Sequence, residues 1–155
     1  LALIQHFDPP EHDPINVYLT GEELEQLLDY WVPRLGLQAW KINLKITRAP
    51  DLPQDHIQGA ATWLASRRAA TVHLLDPRDH RTEEPRLWYD METTLVHELL
   101  HVVFAEWTDR SRSDIEGDGT VHSVCVEQPI DQISEALVAL RRATETKKNR
   151  MGVRS

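Results

Sequence analysis

The sequence predicts an α+β domain in which one helix leads into a short three-stranded sheet and two further helices follow. Three patterns carry that expectation. Apolar residues recur at helical spacing from Leu24 to Leu35, they alternate with polar ones from Trp40 to Thr47, and a strongly apolar helical stretch covers about residues 91–107. With 155 residues, the chain suffices for one domain with a sizeable core and falls short of two ordinary ones. Residues 1–143 are expected to form that domain, and 144–155, which are polar and basic, a flexible tail.

The Pro-rich, acidic stretch Asp8 to Pro14 reads as a surface crossing before a short extended run, Ile15 to Leu19. Thr20 suits a helix N-cap, with Glu22 and Glu23 in the favourable first turn. Leu24, Leu27, Leu28, Trp31 and Leu35 then make an apolar stripe, and Gly36 ends it. Trp40, Ile42, Leu44 and Ile46 alternate with polar residues as a half-buried strand does, until Pro50 and Pro53 intervene. Gly59 to Ser66 and Ala70 to Leu75 read as two more strands around an Arg67-Arg68 turn, which makes the expected sheet short, twisted and mostly antiparallel. A loop of mixed charge separates it from the apolar helix, and residues 108–123 read as a second loop. A last helix is expected from about Glu127 to Arg142, with Ile130, Ile133, Leu137 and Leu140 facing inward.

A formal charge of -8 disfavours a protein whose main task is gripping nucleic acid, although it leaves room for a local basic patch. Cys125 is the one cysteine, which excludes an intramolecular disulfide framework and a four-cysteine zinc knot. A lone thiol suits a reducing compartment, so the cytoplasm is the expected location. No apolar run has the length of a bilayer span, so no membrane partner is expected.

Chemistry concentrates in His97-Glu98-Leu99-Leu100-His101. On a helix, His97 and His101 share a face one turn apart and can converge on one metal ion. Two neutral imidazoles suit Zn2+, while Glu98 stands where a general base for a water nucleophile is needed. A core helix carrying such a polar trio needs partners for it, and a metal supplies one.

With this motif the chain resembles the zincin metallopeptidases, in particular small intracellular or phage-associated HExxH proteins. The resemblance spans about Met91 to Leu140 and implies a helix over a twisted sheet, with a second helix bringing the third ligand. It also implies zinc-dependent hydrolysis of peptide bonds, endopeptidase action on a peptide or protein substrate, and extended substrate bound at the sheet edge. The residues after His101, Val102 to Trp107, lack the further histidine of the metzincins. Similar glutamate-type zincins use a Glu at the start of the second helix, which points to Glu127; His122 is the rival, in a three-histidine site resembling SprT-like proteins. Glu106 and Asp109 are lesser candidates. Tyr89 and His122 are candidate oxyanion donors, each set against a plain reading as a packed aromatic and a loop histidine. The competing function is a metal-stabilised binding or regulatory module that keeps the fold without catalysis.

Overall fold

The computed structural model describes residues 16–54, 57–81, 88–105 and 119–151, with the backbone alone for 119–125. Helix α1 (Gly21–Arg34) is followed by strands β1 (Lys41–Thr47), β2 (Gly59–Leu64) and β3 (Ala69–Leu75), then by α2 (Met91–Val103) and α3 (Gly119–Arg150). This is the α+β arrangement the sequence predicts, with helices flanking a three-stranded sheet.

Helix α1 starts where its end groups find partners. Thr20 Oγ1 accepts the Glu23 amide at 3.2 Å while Glu23 Oε2 accepts the Thr20 amide at 2.8 Å, a reciprocal capping box. Gly36, with φ of 72°, takes the left-handed conformation that turns the chain out of the helix. Leu24 and Trp31 carry the buried face.

The sheet is mixed, which corrects the expectation of a mostly antiparallel one. Its order is β1-β3-β2, with β1 parallel to β3 and β2 antiparallel to β3. The β2–β3 hairpin is the antiparallel pair foreseen around Arg67-Arg68. A 3₁₀ turn, Ala65–Arg67, and a left-handed Arg68 close it. The parallel pairing arises because β3 enters between its two predecessors, and the 47–59 connection lets β2 run back on the far side. Central β3 is the most deeply buried strand, with Val72 and Leu74 at zero exposure, whereas Ile46 on edge strand β1 is 44% exposed.

Helix α2 lies across the core face of β2 and β3. Asp90 caps it by accepting the amides of Glu92 and Thr93 at 3.0 and 3.2 Å. The segment before α1 is tied to the same point: Val17 donates to the Tyr89 carbonyl at 2.8 Å and accepts from the Met91 amide at 3.0 Å. Met91, Leu95, Val96, Leu99 and Val102 fill the centre of the molecule.

Helix α3 extends beyond the expected 127–142 at both ends and packs along α2. Its last turns suit a helix: Arg141 pairs with Glu145 at i,i+4, and Lys147, Lys148 and Arg150 complement the dipole at the C-terminus. The inward stripe is Val126, Ile130, Ser134 and Val138, four residues apart, with Leu137 partly buried. Ile133 and Leu140, expected inside, are 39% and 67% exposed. The small, polar Ser134 occupies a core position, where its hydroxyl is satisfied by the Asp131 carbonyl at 2.8 Å, and so the apolar pattern misreads the helix rotation.

An ion network fixes α3 against α2. Glu92, buried to 1%, accepts Trp31 Nε1 at 3.2 Å and Arg141 Nη2 at 2.6 Å, and Arg141 Nε also bonds its other oxygen. Arg142 joins Glu92 at 3.1 Å and Asp90 at 2.7 Å. Both buried carboxylates thus have cationic partners, as burial of charge demands.

Candidate metal centre

His97 and His101 sit one turn apart on α2, and their rings meet edge to face with centroids 4.9 Å apart. The two Nε2 atoms are 3.1 Å from each other. Glu127 reaches them from α3, with Oε2 3.3 Å from His97 Nε2 and Oε1 3.4 Å from His101 Nε2. Among the described residues this is the one group of three or more His, Cys, Asp or Glu side chains whose ligand atoms converge, all within 4.8 Å. The cluster can hold a divalent metal ion. The two imidazoles are mostly buried at 18% and 15% exposure, while Glu127 at 43% lies on the open side.

Asp131, one turn after Glu127, places Oδ1 2.9 Å from His97 Nδ1. With Nδ1–H donated to a carboxylate, the His97 lone pair is left on Nε2, the atom facing Glu127 and His101. The sequence reading did not single out Asp131. Its signal was the Glu127-x-x-x-Asp131 spacing, which puts two carboxylates on one helix face.

Electrostatics follow from this crowding in the metal-free protein. Burial pushes the His97 imidazole down, but the Glu127 hydrogen bond and the charges of Glu98, Asp131 and Glu127 outweigh it and leave the group above its ordinary value. Hydrogen bonds from His101 and His97 hold the Glu127 carboxyl far below the usual carboxylate range. Glu98 behaves oppositely. Burial raises it to about 7 against the downward pull of His97 and His101, with Glu127 adding to the rise.

Glu98 is 6% exposed and packs against the start of β2, the edge strand. A methyl group on Gly59 would stand 2.8 Å from Glu98 Oε1 and 2.7 Å from Thr94 Cγ2, so only a glycine lets the strand backbone approach this closely. Sequence reasoning treated Gly59 as a strand start, because nothing local reveals which helix the strand touches.

Tyr89 takes the packed role. It is fully buried, its hydroxyl donates to the Leu75 carbonyl at 2.9 Å, and burial followed by the charges of Asp76, Tyr18, Asp90 and Glu98 raises its pKa. Glu106 and Asp109 lie outside the described residues, as do the side chains of His122 and Cys125. No described helix is long and apolar enough to cross a membrane. Comparison with protein-family models, with curated proteins and with solved structures returned no match.

Proposed function

We propose that this protein is a zinc-dependent peptide hydrolase of the glutamate-type zincin kind, with His97, His101 and Glu127 as ligands and Glu98 as general base. The observation that carries the reading is the convergence of ligand atoms: the two Nε2 atoms are 3.1 Å apart, Glu127 Oε2 is 3.3 Å from His97 Nε2, and Glu127 Oε1 is 3.4 Å from His101 Nε2. Zinc bonds to nitrogen and oxygen of about 2.0–2.2 Å at tetrahedral angles separate ligand atoms by roughly 3.3–3.5 Å. The contacts are of that size, so the three side chains can close on one ion reached from the Glu127 side. Three protein ligands leave a fourth position for water or substrate, as catalytic zinc sites do.

A zinc ion held there supplies Lewis-acid polarisation of a carbonyl and acidifies water. The chain's own residues supply the rest. Glu98, beside the ligands and shielded from solvent, takes the proton of the attacking water and passes it to the leaving amine. Asp131 holds the His97 ring in orientation. Strand β2 supports a peptide substrate: among the described residues it pairs with β3 alone, and its first residue touches Glu98, so an extended chain added along its other edge would pass the base.

The test uses protein loaded with one equivalent of zinc and an unstructured, fluorescently labelled protein substrate. Cleavage that stops on chelation and returns with zinc is expected, and Glu98→Gln should bind zinc as the parent does while turning over at least about 100-fold more slowly. Zinc binding without cleavage by the parent chain would favour a metal-stabilised binding module instead.

A further inference from the structure

Among the described strand residues, the sheet face turned away from α2 carries charge of one sign. By register, Lys41, Asn43 and Lys45 of β1 line up with the β3 and β2 residues that alternate with the core-facing Val72 and Leu74, among them Thr71 and Thr62. Segments 41–48 and 59–75 contain Lys41, Lys45, Arg48, Arg67 and Arg68 and no Asp or Glu, in a chain whose net charge is -8. The strands and hairpin thus contribute only cations to this face. Lys41, Lys45, Arg67 and Arg68 are exposed, and the ion pairs among the described residues involve none of them. The amide of Lys41 donates to the Arg68 carbonyl at 2.8 Å, so the hairpin arginines and the start of β1 form one cationic end. Asp76 and Asp79, just beyond the opposite end of β3, are already paired with Arg78 and Arg48.

We propose that this face docks onto the phosphate backbone of double-stranded DNA. Net charge disfavours a dedicated nucleic-acid protein, but the field that meets a partner is that of the face presented to it. Between the cations stand Asn43, Thr62 and Thr71, neutral donors of the type that contacts phosphate oxygens. The strand residues of this face include no Phe, Tyr or Trp, the large aromatics on which single-stranded bases stack. Leu64 is its one large exposed apolar side chain, which leaves it without the apolar centre of a protein–protein interface. Lys41 and Lys45 lie four residue steps apart along β1, about 13 Å at the backbone. That span suits phosphates on either side of the B-form minor groove, about 6 Å wide between surfaces, better than the wide minor groove of duplex RNA. The proposal is independent of the hydrolase reading, because α2, which bears the two histidines, packs on the other side of the sheet and α3 packs on α2.

Fluorescence anisotropy with a short labelled DNA duplex tests it, alongside an RNA duplex of the same sequence and polyglutamate as competitors, using the full chain with zinc. Duplex DNA should bind at low salt, and affinity should fall on the order of 100-fold between about 50 and 200 mM salt, as expected for about four phosphate contacts. The variant K41Q/K45Q/R67Q/R68Q should lose at least about tenfold in affinity with its melting temperature and zinc uptake unchanged. The pairs K41Q/K45Q and R67Q/R68Q, measured separately, should each weaken binding and reduce the salt slope by about two should the fourfold variant fold poorly. Absence of DNA binding by the parent, unchanged binding by the pair variants, or equal or tighter binding of RNA or polyglutamate would overturn the proposal.

Discussion

Asp131 Oδ1 lies 2.9 Å from His97 Nδ1, on the side of the ring opposite the atom that faces Glu127. A carboxylate in that position sets the tautomer and orientation of a metal-facing histidine. Asp131→Ala is therefore expected to weaken zinc affinity by about 10- to 100-fold. Because Asp131 is exposed, the metal-free protein should keep its unfolding midpoint. Competition with a zinc chelator and a chemical denaturation curve measure the two effects separately.

Gly59→Ala places a methyl group on the Glu98 carboxylate and on Thr94. The carboxylate is the end of a flexible side chain and can swing away, whereas Thr94 sits on the first turns of α2 and can yield less. The expected result is a stability loss of about 1–3 kcal/mol together with loss of turnover, at unchanged zinc stoichiometry. Steady-state kinetics alongside metal analysis check this, and full activity in the variant would dissociate β2 from the base.

Arg141→Met removes two of the hydrogen bonds made to buried Glu92. Stranding a buried carboxylate typically costs about 3–5 kcal/mol, and Arg142 and Trp31 remain as partial partners, so the lower end is expected. Pairing the change with Glu92→Leu should recover much of the loss, since a well-packed apolar pair can replace a buried ion pair. Urea denaturation of the single and double variants decides it.

Asp76 and Asp79 provide a pH-dependent contribution. Hydrogen bonds from the Arg78 side chain and amide hold Asp76 at about 2, and those from Arg48 and the Ala49 amide hold Asp79 at about 2. A carboxylate whose folded pKa lies below its unfolded value of about 3.9 stabilises the fold above that value and loses this contribution as pH falls towards its folded pKa. Between about pH 5 and pH 2 the parent should therefore lose more stability than Asp76→Asn or Asp79→Asn. Denaturation curves collected across that range test the difference.

Local signals reported local structure well. The Thr20 capping box, the Gly36 stop, the β2–β3 turn and the helical HExxH spacing all depend on residues within a few positions of one another, and all are present. Glu127, which the resemblance to glutamate-type zincins singled out, lies beside His97 and His101, two turns into the last helix rather than at its start. What escaped the sequence is nonlocal. The parallel pairing of β1 with β3 depends on the order in which strands enter the sheet. The Gly59 contact depends on where β2 meets α2, and the rotation of α3 is set by a serine in a position that an apolar residue usually marks.

The entry to α2 is assembled from widely separated parts of the chain: Val17 binds on either side of Asp90, and Arg142 closes over Asp90 and Glu92. During synthesis on a ribosome, the helix bearing the histidines can therefore emerge and collapse onto the sheet, yet the carboxylates of Asp90 and Glu92 lack their arginine partners until residue 142 clears the exit tunnel. Completion of the helix that bears the histidines is thereby tied to a segment 50 residues further along the chain.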